Sequence, residues 1–463
     1  MTEFATMLAP DVGQDAHPIK LLPATELNGW LAGQTEAVRA LAAAHRFEGK
    51  PETFLILPAD DGWGVVAGVG EHLDQWSLAH LADRLPDGTY RLIGSAVGVM
   101  SHGWLLAQHR YDRYRRKDGA SPPRILLTHE PGEIEAAVRL VDAVALVRDL
   151  VDTPALDCGP ADLQLTIERL ASMFGATVAV TLGGALAEHY PLIHAVGQAA
   201  AADRAPRLIE LEWGDPGDPR VTLVGKGVCF DTGGLDIKSS TGMLLMKKDM
   251  GGAAHALALA QLVMAARLPV RLHLCIPAVE NAISGSAVRP GDVLRSRKGL
   301  SVEIVNTDAE GRLILADAVA RAGEATPELL IDFATLTSAA RVALGPDLPA
   351  LFSNSEPLAA EFASAAAEAG DPVWRLPLWQ PYTDALESDI ADIRNAALDG
   401  FSGAITAALF IERFVPAGLP WVHLDTYAWR PSAEPGRPKG GDALGLRAAW
   451  QLLHSRYGRH DIG

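Results

Sequence analysis

Cysteine is scarce: Cys158, Cys229 and Cys275 are the only three in 463 residues. They lie far apart, odd in number and without zinc-ligand spacing, which excludes a disulfide framework and fits a reducing compartment with buried thiols. Positive charge is short too. Forty Lys and Arg against 57 Asp and Glu leave a formal charge of -17, so the overall field repels phosphate backbones and acidic membranes and attracts divalent cations. Nucleic acid is therefore not the default partner. Long apolar runs are missing as well: the longest weakly charged stretch, Gly251 to Ala266, is shorter than the roughly 20 residues a bilayer span needs and contains His255 and Gln261. It reads as a buried helix. The opening MTEFATMLAPDVG has a glutamate, no basic segment and no continuous apolar run, so no signal peptide is expected and the expected location is the cytoplasm. Internal repeats and low-complexity segments are absent.

What is present is ordinary for a globular chain, 48% hydrophobic and 21% charged. The length fits about three domains, or two unequal ones. From about Pro51 to Leu127, short apolar runs (TFLIL, WGVVAGV, YRLIGSA, RILLT) alternate with polar and Gly/Pro punctuation, the rhythm of strands between helices. Ile134, Ala137, Val138, Val141, Val144 and Ala145 then recur at helical spacing, predicting a long helix from Glu133 to about Val151. Asp152-Thr153-Pro154 stops it, because a residue before proline is pushed out of the α region. Beyond it come TVAVTL, RLIELEW, RVTLVG, a helix after Asp249, VRLHLCIP, a helix after Glu310, LLIDFATL and WVHLDTY. The expected fold is α/β with two domains. A small N-terminal α/β domain (1–130) is joined by a long helix (131–152) to a larger domain (153–463) with a mixed, mostly parallel sheet flanked by helices.

Chemistry in such sheets gathers at the carboxyl ends of the strands, where the charged motifs fall. The octet Asn306-Thr307-Asp308-Ala309-Glu310-Gly311-Arg312-Leu313 places two carboxylates two residues apart beside an arginine, at the mouth of a helix. In extended backbone Asp308 and Glu310 would face one side. Upstream lies a second cluster, Lys226, Asp231, Lys238 and Asp249, threaded through a turn with Gly233 and Gly234, residues that permit positive φ. Two hydrolytic cations about 3.5–4 Å apart need bridging carboxylates to offset their repulsion, and Asp231, Asp249, Asp308 and Glu310 supply four. Lys226 and Lys238 counter like-charge repulsion among them, and Arg312 offers a planar fork for an oxyanion. Taken singly, each charge is as readily a surface ion pair; taken as a spaced set, they point to a two-metal hydrolase.

The segments VGKGVCFDTGGLDIKSSTGMLLMKKDMGGAA and NTDAEGRLILADA, with IPAVENAISGSAVRPGDVL, DFATLT, DIADIRN and WVHLD, are similar to those of the leucyl aminopeptidase family of metallopeptidases. The resemblance covers Asp152 to Leu453 and is much weaker over the first 130 residues. It implies a leucyl-type aminopeptidase acting on peptides. Lys226, Asp231, Asp249 and Glu310 would bind one divalent ion, and Asp231, Asp308 and Glu310 the other. Mn²⁺ and Zn²⁺ are the expected metals. Lys238 and Arg312 fall on the family's two catalytic non-ligands, the first stabilising the oxyanion, the second holding a bicarbonate that serves as general base. A homo-hexamer and binding of the substrate's α-amine at a metal and Asp249 are further implications. His255 reads instead as a core histidine.

The chain departs from the family at three places. Ser239 follows Lys238 where proline is usual, Ser338 takes the place of glycine after ATLT, and Thr426-Tyr427-Ala428-Trp429 replace small residues after Asp425. On an ungapped alignment Met246, Thr335, Ser338, Tyr427 and Arg430 line the side-chain pocket, reshaped and narrower than a plain leucine cavity. Two other readings stand beside this one. A DNA-binding accessory protein draws on the run HRYDRYRRK (109–117), which looks helical; a dipeptidase, such as one cleaving cysteinylglycine, would use the same site.

Overall fold

The computed structural model describes residues 2–59, 62–115 and 122–458. The chain forms two compact units, Met1–Ala145 with Ser432–Lys439, and Leu146–Pro431 with Gly440–Gly463. The helix Ile134–Asp152 runs through the division.

The first unit holds a six-stranded sheet in the order Leu8–Pro10, Arg124–Thr128, Gly88–Ile93, His17–Pro23, Gly62–Val69, Phe54–Ala59. Every neighbouring pair is parallel except the last, an antiparallel hairpin. Four of these strands are the runs that alternation predicts. His17–Pro23 and Leu8–Pro10 lie upstream of them; prolines at 10, 18 and 23 argue locally against strands. The run 109–115 is not helical, its backbone being coil, turn and bend. His109 is buried and Arg110 pairs with Asp83 at 3.0 Å, so part of its charge is satisfied internally. Arg116 and Lys117 lie outside the described residues.

The second unit is built on a nine-stranded sheet. Its path runs Trp374–Arg375, Ala350–Ser353, Trp421–Asp425, Leu329–Ala334, Arg220–Gly225, Arg271–Asn281, Arg207–Trp213, Thr177–Leu182, and Gly227–Asp231 pairs with the far half of Arg271–Asn281. The four central strands are mutually parallel, with antiparallel pairings toward both edges. Helix Gly251–Ala265 is apolar on nearly every side and buried accordingly, as a helix without a polar face must be. Its first turn presses on the sheet so closely that a Cβ at Gly252 would lie 2.2 Å from the Phe333 carbonyl oxygen. This contact fixes where Asp249 stands. Helix Glu310–Gly323 is buried along almost its whole length. None of the three cysteines is in a disulfide, and all are buried. His255 is a core residue: Leu444 N–H donates to its Nε2 at 3.0 Å, which leaves Nδ1–H to donate to the Gly251 carbonyl at 2.7 Å. Among the described residues no helix is long and apolar enough to cross a membrane.

Candidate active site

Strand ends deliver the charged groups. Lys226 directly follows Arg220–Gly225, Asp231 closes Gly227–Asp231, and Asn281 closes Arg271–Asn281. Thr335 follows Leu329–Ala334, and Asp425 closes Trp421–Asp425. Two helix starts complete the set: Asp249 precedes Gly251–Ala265, and Glu310 is the first residue of Glu310–Gly323.

One carboxylate oxygen each from Asp231, Asp308 and Glu310 lies within 4.8 Å of the others. Asp308 and Glu310 do not converge through extended backbone, as the two-residue spacing suggests. Asp308 sits in a turn and Ala309 (φ -107°, ψ 42°) bends the chain into the helix, so the helix start aims Glu310. Asp249 stands outside the threesome and is tied to it by Lys226, whose Nζ lies 2.8 Å from Asp249 Oδ2 and 3.0 Å from Glu310 Oε1 and donates to the Thr335 carbonyl at 3.0 Å. Lys238 Nζ bridges Asp231 Oδ2 at 2.7 Å and Asp308 Oδ1 at 2.5 Å.

Supporting groups hold each carboxylate in place. Asp231 Oδ1 accepts from Gly233 N–H and from Asn281 Nδ2, both at 2.8 Å. The turn that makes the first of these possible has φ of +87° at Gly233, and a Cβ there would meet Asp308 Oδ1 at 2.9 Å. Thr335 Oγ1 donates to Asp249 Oδ1 at 2.8 Å. Thr307 Oγ1 donates to the Gly233 carbonyl at 2.7 Å and accepts from Asp236 N–H at 2.8 Å, which locks the two motifs together.

At ion-pair distance the four carboxylates meet only the ammonium groups of Lys226 and Lys238, while Lys248 and the Arg312 guanidinium stand farther off on the same cleft. Burial first, then repulsion from Asp231, pushes Glu310 up to about 8. Burial and Asp231 also raise Asp308. For Lys226 and Lys238 burial acts downward, but the surrounding carboxylates outweigh it and hold both above the ordinary lysine range. Glu310 Oε2 is buried with no hydrogen-bond partner, an expensive state for an acceptor. Clustered oxygen donors, one of them orphaned, fit hard or borderline divalent cations.

Arg312 is buried on the same cleft. Its Nη1 donates to the Asn395 carbonyl at 2.8 Å, and burial brings its pKa down to about 10. No carboxylate among the described residues is within ion-pair distance of it, so the guanidinium is free to take an external anion. The cleft, of about 750 Å³, is lined by all seven expected metal and catalytic residues and by Met246, Thr335, Ser338 and Tyr427. Arg430, expected on the pocket wall, is not there. Its guanidinium is claimed by Asp442 (Nε to Oδ2, 2.9 Å) and Asp347 (Nη1 to Oδ1, 3.1 Å), which hold it away from the opening. Ser239 does local work in place of a proline: its Oγ accepts from Gly242 N–H at 3.2 Å and caps the short helix Ser240–Met243.

Four residues on or behind this site escape the sequence reading. Asn281 and Asn395 are neutral amides inside recognised segments, and nothing in their charge marks them. Lys248 and Arg341 line the cleft beside Tyr427, and only their position, not their spacing, reveals it.

The fold and this acidic, lysine-buffered cleft fit a hydrolase of the metallopeptidase class. Comparison with known proteins narrows it. Residues 145–449 match the cytosol aminopeptidase family catalytic domain, and residues 17–126 match the M17 aminopeptidase N-terminal domain. A probable cytosol aminopeptidase from Syntrophotalea carbinolica is 40% identical over 77% of this chain and 75% of its own length. The crystal structure of cytosol aminopeptidase from Coxiella burnetii superposes with a TM-score of 0.92 at 42% identity, covering 97% of this chain and 99% of that one. The bottromycin maturation enzyme BotP in complex with Mn superposes with a TM-score of 0.84 at 33% identity over 98% and 100%. The chain belongs to the cytosol aminopeptidase family, and it is an aminopeptidase.

Proposed function

We propose that this protein removes N-terminal residues from peptides with two divalent cations, Mn²⁺ or Zn²⁺, held by Lys226, Asp231, Asp249, Asp308 and Glu310, with Asp231 and Glu310 shared between them. The observation that carries this reading is the convergence of Asp231, Asp308 and Glu310 within 4.8 Å at the strand ends, flanked by Lys238 and Arg312. When bound, such cations supply Lewis acidity that brings the pKa of water toward neutrality.

The chain's own groups then divide the remaining tasks. Lys238, half-buried and facing the cleft, places an ammonium where negative charge develops on the scissile carbonyl oxygen. Arg312 would hold a bicarbonate, which would supply the proton acceptor that the histidine-free cleft lacks. Asp249, oriented by Thr335, would take the free α-amine of the substrate together with one of the cations, and this tether restricts cleavage to the first peptide bond. We assign catalysis to the domain at 153–463, joined through the helix at 131–152 to the domain at 1–130, and propose a cytoplasmic homo-hexamer. The relatives' name, cytosol aminopeptidase, supports the location, and the Mn-bound state of BotP supports the metal.

The test is release of p-nitroaniline from aminoacyl p-nitroanilides by the purified protein. Activity should vanish on chelation and return with Mn²⁺ or Zn²⁺; no release under any metal condition would overturn the reading.

A further inference from the structure

On the wall of the cleft stands a buried ammonium that Asp249 and Asp425 attract only from beyond ion-pair distance. Lys248 is only 6% exposed and lines the same opening as the acidic cluster. Its Nζ lies 4.8 Å from the centroid of the Tyr427 ring. On that ring too sits Arg341, its Cζ 4.9 Å from the centroid and its Nη1 donating to the Tyr427 hydroxyl at 3.1 Å. Neither cation has a carboxylate within ion-pair distance among the described residues.

The two acids nearest in chain or space are already engaged. Asp425 accepts from Leu336 N–H at 2.9 Å and Thr337 N–H at 3.2 Å through Oδ1, and from Thr337 Oγ1 at 2.6 Å through Oδ2. Asp249 pairs with Lys226 and Thr335. Burying an ammonium costs free energy unless a partner offsets it, and the face of one phenol offsets it only in part. The aromatic contact fixes the lysine's position while leaving N–H donors for a ligand in the opening. Met246, Thr335 and Ser338 share this stretch of wall and add no negative charge.

We propose that Lys248 and Arg341, braced on Tyr427, form a carboxylate-binding subsite that gives this aminopeptidase a preference for substrates carrying a carboxylate beside the scissile residue, in first place an acidic N-terminal side chain. This rests on the aminopeptidase reading above. A leucine-sized side chain would leave the ammonium unpaired; glutamate would pair it. The C-terminal carboxylate of a dipeptide has the same chemistry, and it is separated by the choice of substrates.

The Mn²⁺-loaded protein is assayed on the aminomethylcoumarin amides of glutamate, glutamine and leucine, and on Leu-Gly and Leu-Gly-amide. The expected result is a kcat/KM for glutamate about tenfold or more above that for its neutral isostere glutamine, the size of effect a charged hydrogen bond gives. Lys248→Met should collapse that ratio, and Arg341→Gln should reduce it. A Lys248-dependent preference for Leu-Gly over its amide would uphold the subsite and place the carboxylate at the substrate's C-terminus. Leucine release by wild type and Lys248→Met with both ratios near one, or unmoved by the substitutions, would overturn the proposal while leaving the aminopeptidase reading intact. Release from none of the substrates would overturn both.

Discussion

Lys226 Nζ lies 3.0 Å from Glu310 Oε1, and both side chains are almost fully buried. Lys226 Nζ also lies 2.8 Å from Asp249 Oδ2 and holds that buried carboxyl below its ordinary range, so removing the ammonium strands the Asp249 charge, at a cost of about 3–5 kcal/mol. Lys226→Met should therefore lower the melting temperature of the chelated protein by several degrees as well as abolish peptidase activity. An unchanged melting temperature would mean that these pairs contribute nothing to the fold.

Glu310→Gln keeps the shape of the side chain and removes one of the four clustered charges. The remaining oxygens would bind a divalent cation more weakly, by at least the 10- to 100-fold typical of losing even an outer-shell group. Calorimetric titration of the chelated variant with Mn²⁺ measures this directly. Retained affinity would exclude Glu310 as a ligand.

Lys238→Met leaves Asp231 and Asp308 in place and removes the ammonium between them. Loss of an oxyanion donor costs about 10²–10³ in kcat, so kcat should fall by that order with little change in KM. A rise in KM at constant kcat would instead assign Lys238 to ground-state binding.

Gly311 has no room for a side chain: a Cβ there would lie 2.5 Å from Lys226 Cε and 2.7 Å from Nζ. Those atoms are the flexible end of a lysine, so Gly311→Ala should displace Lys226 from Asp249 and Glu310 and leave the fold largely intact. Activity should drop at least tenfold, while the far-ultraviolet circular dichroism of the variant matches wild type. Full activity would show that Lys226 has another productive position.

His80, in the first unit, is buried, and that burial chiefly, with Arg84 adding to it, lowers its pKa to about 4. Between pH 6.5 and 4 the unfolded chain thus binds a proton that the folded chain refuses, so stability is lost as pH falls through that window. His80→Leu should flatten this part of the stability profile, checked by thermal unfolding at pH 7, 6, 5 and 4. An unaltered slope would assign acid sensitivity to other groups.

Much of this site is legible before folding, because metal chemistry demands particular charged types in fixed order. Asp231, Asp249, Asp308, Glu310 and the lysines between them are visible as a set for that reason. The sheet is legible where a strand is a continuous apolar run, as at Arg220–Gly225 and Leu329–Ala334. It is hidden at His17–Pro23, where prolines mask a strand paired on both sides. Arg430 shows another limit. Counting positions along the chain placed it in the pocket, but Asp442 and Asp347 compete for its guanidinium and win. Lys248 shows the converse, since the meaning of its charge depends on Tyr427, far along the chain, coming to lie beneath it.

The central claim is that five side chains from separate strand and helix ends enclose two divalent cations. Anomalous diffraction at the manganese edge from crystals grown with Mn²⁺ tests it most directly. Two peaks are predicted, the first contacted by Lys226, Asp231, Asp249 and Glu310, the second by Asp231, Asp308 and Glu310. A single peak, or peaks bounded by other residues, would contradict it.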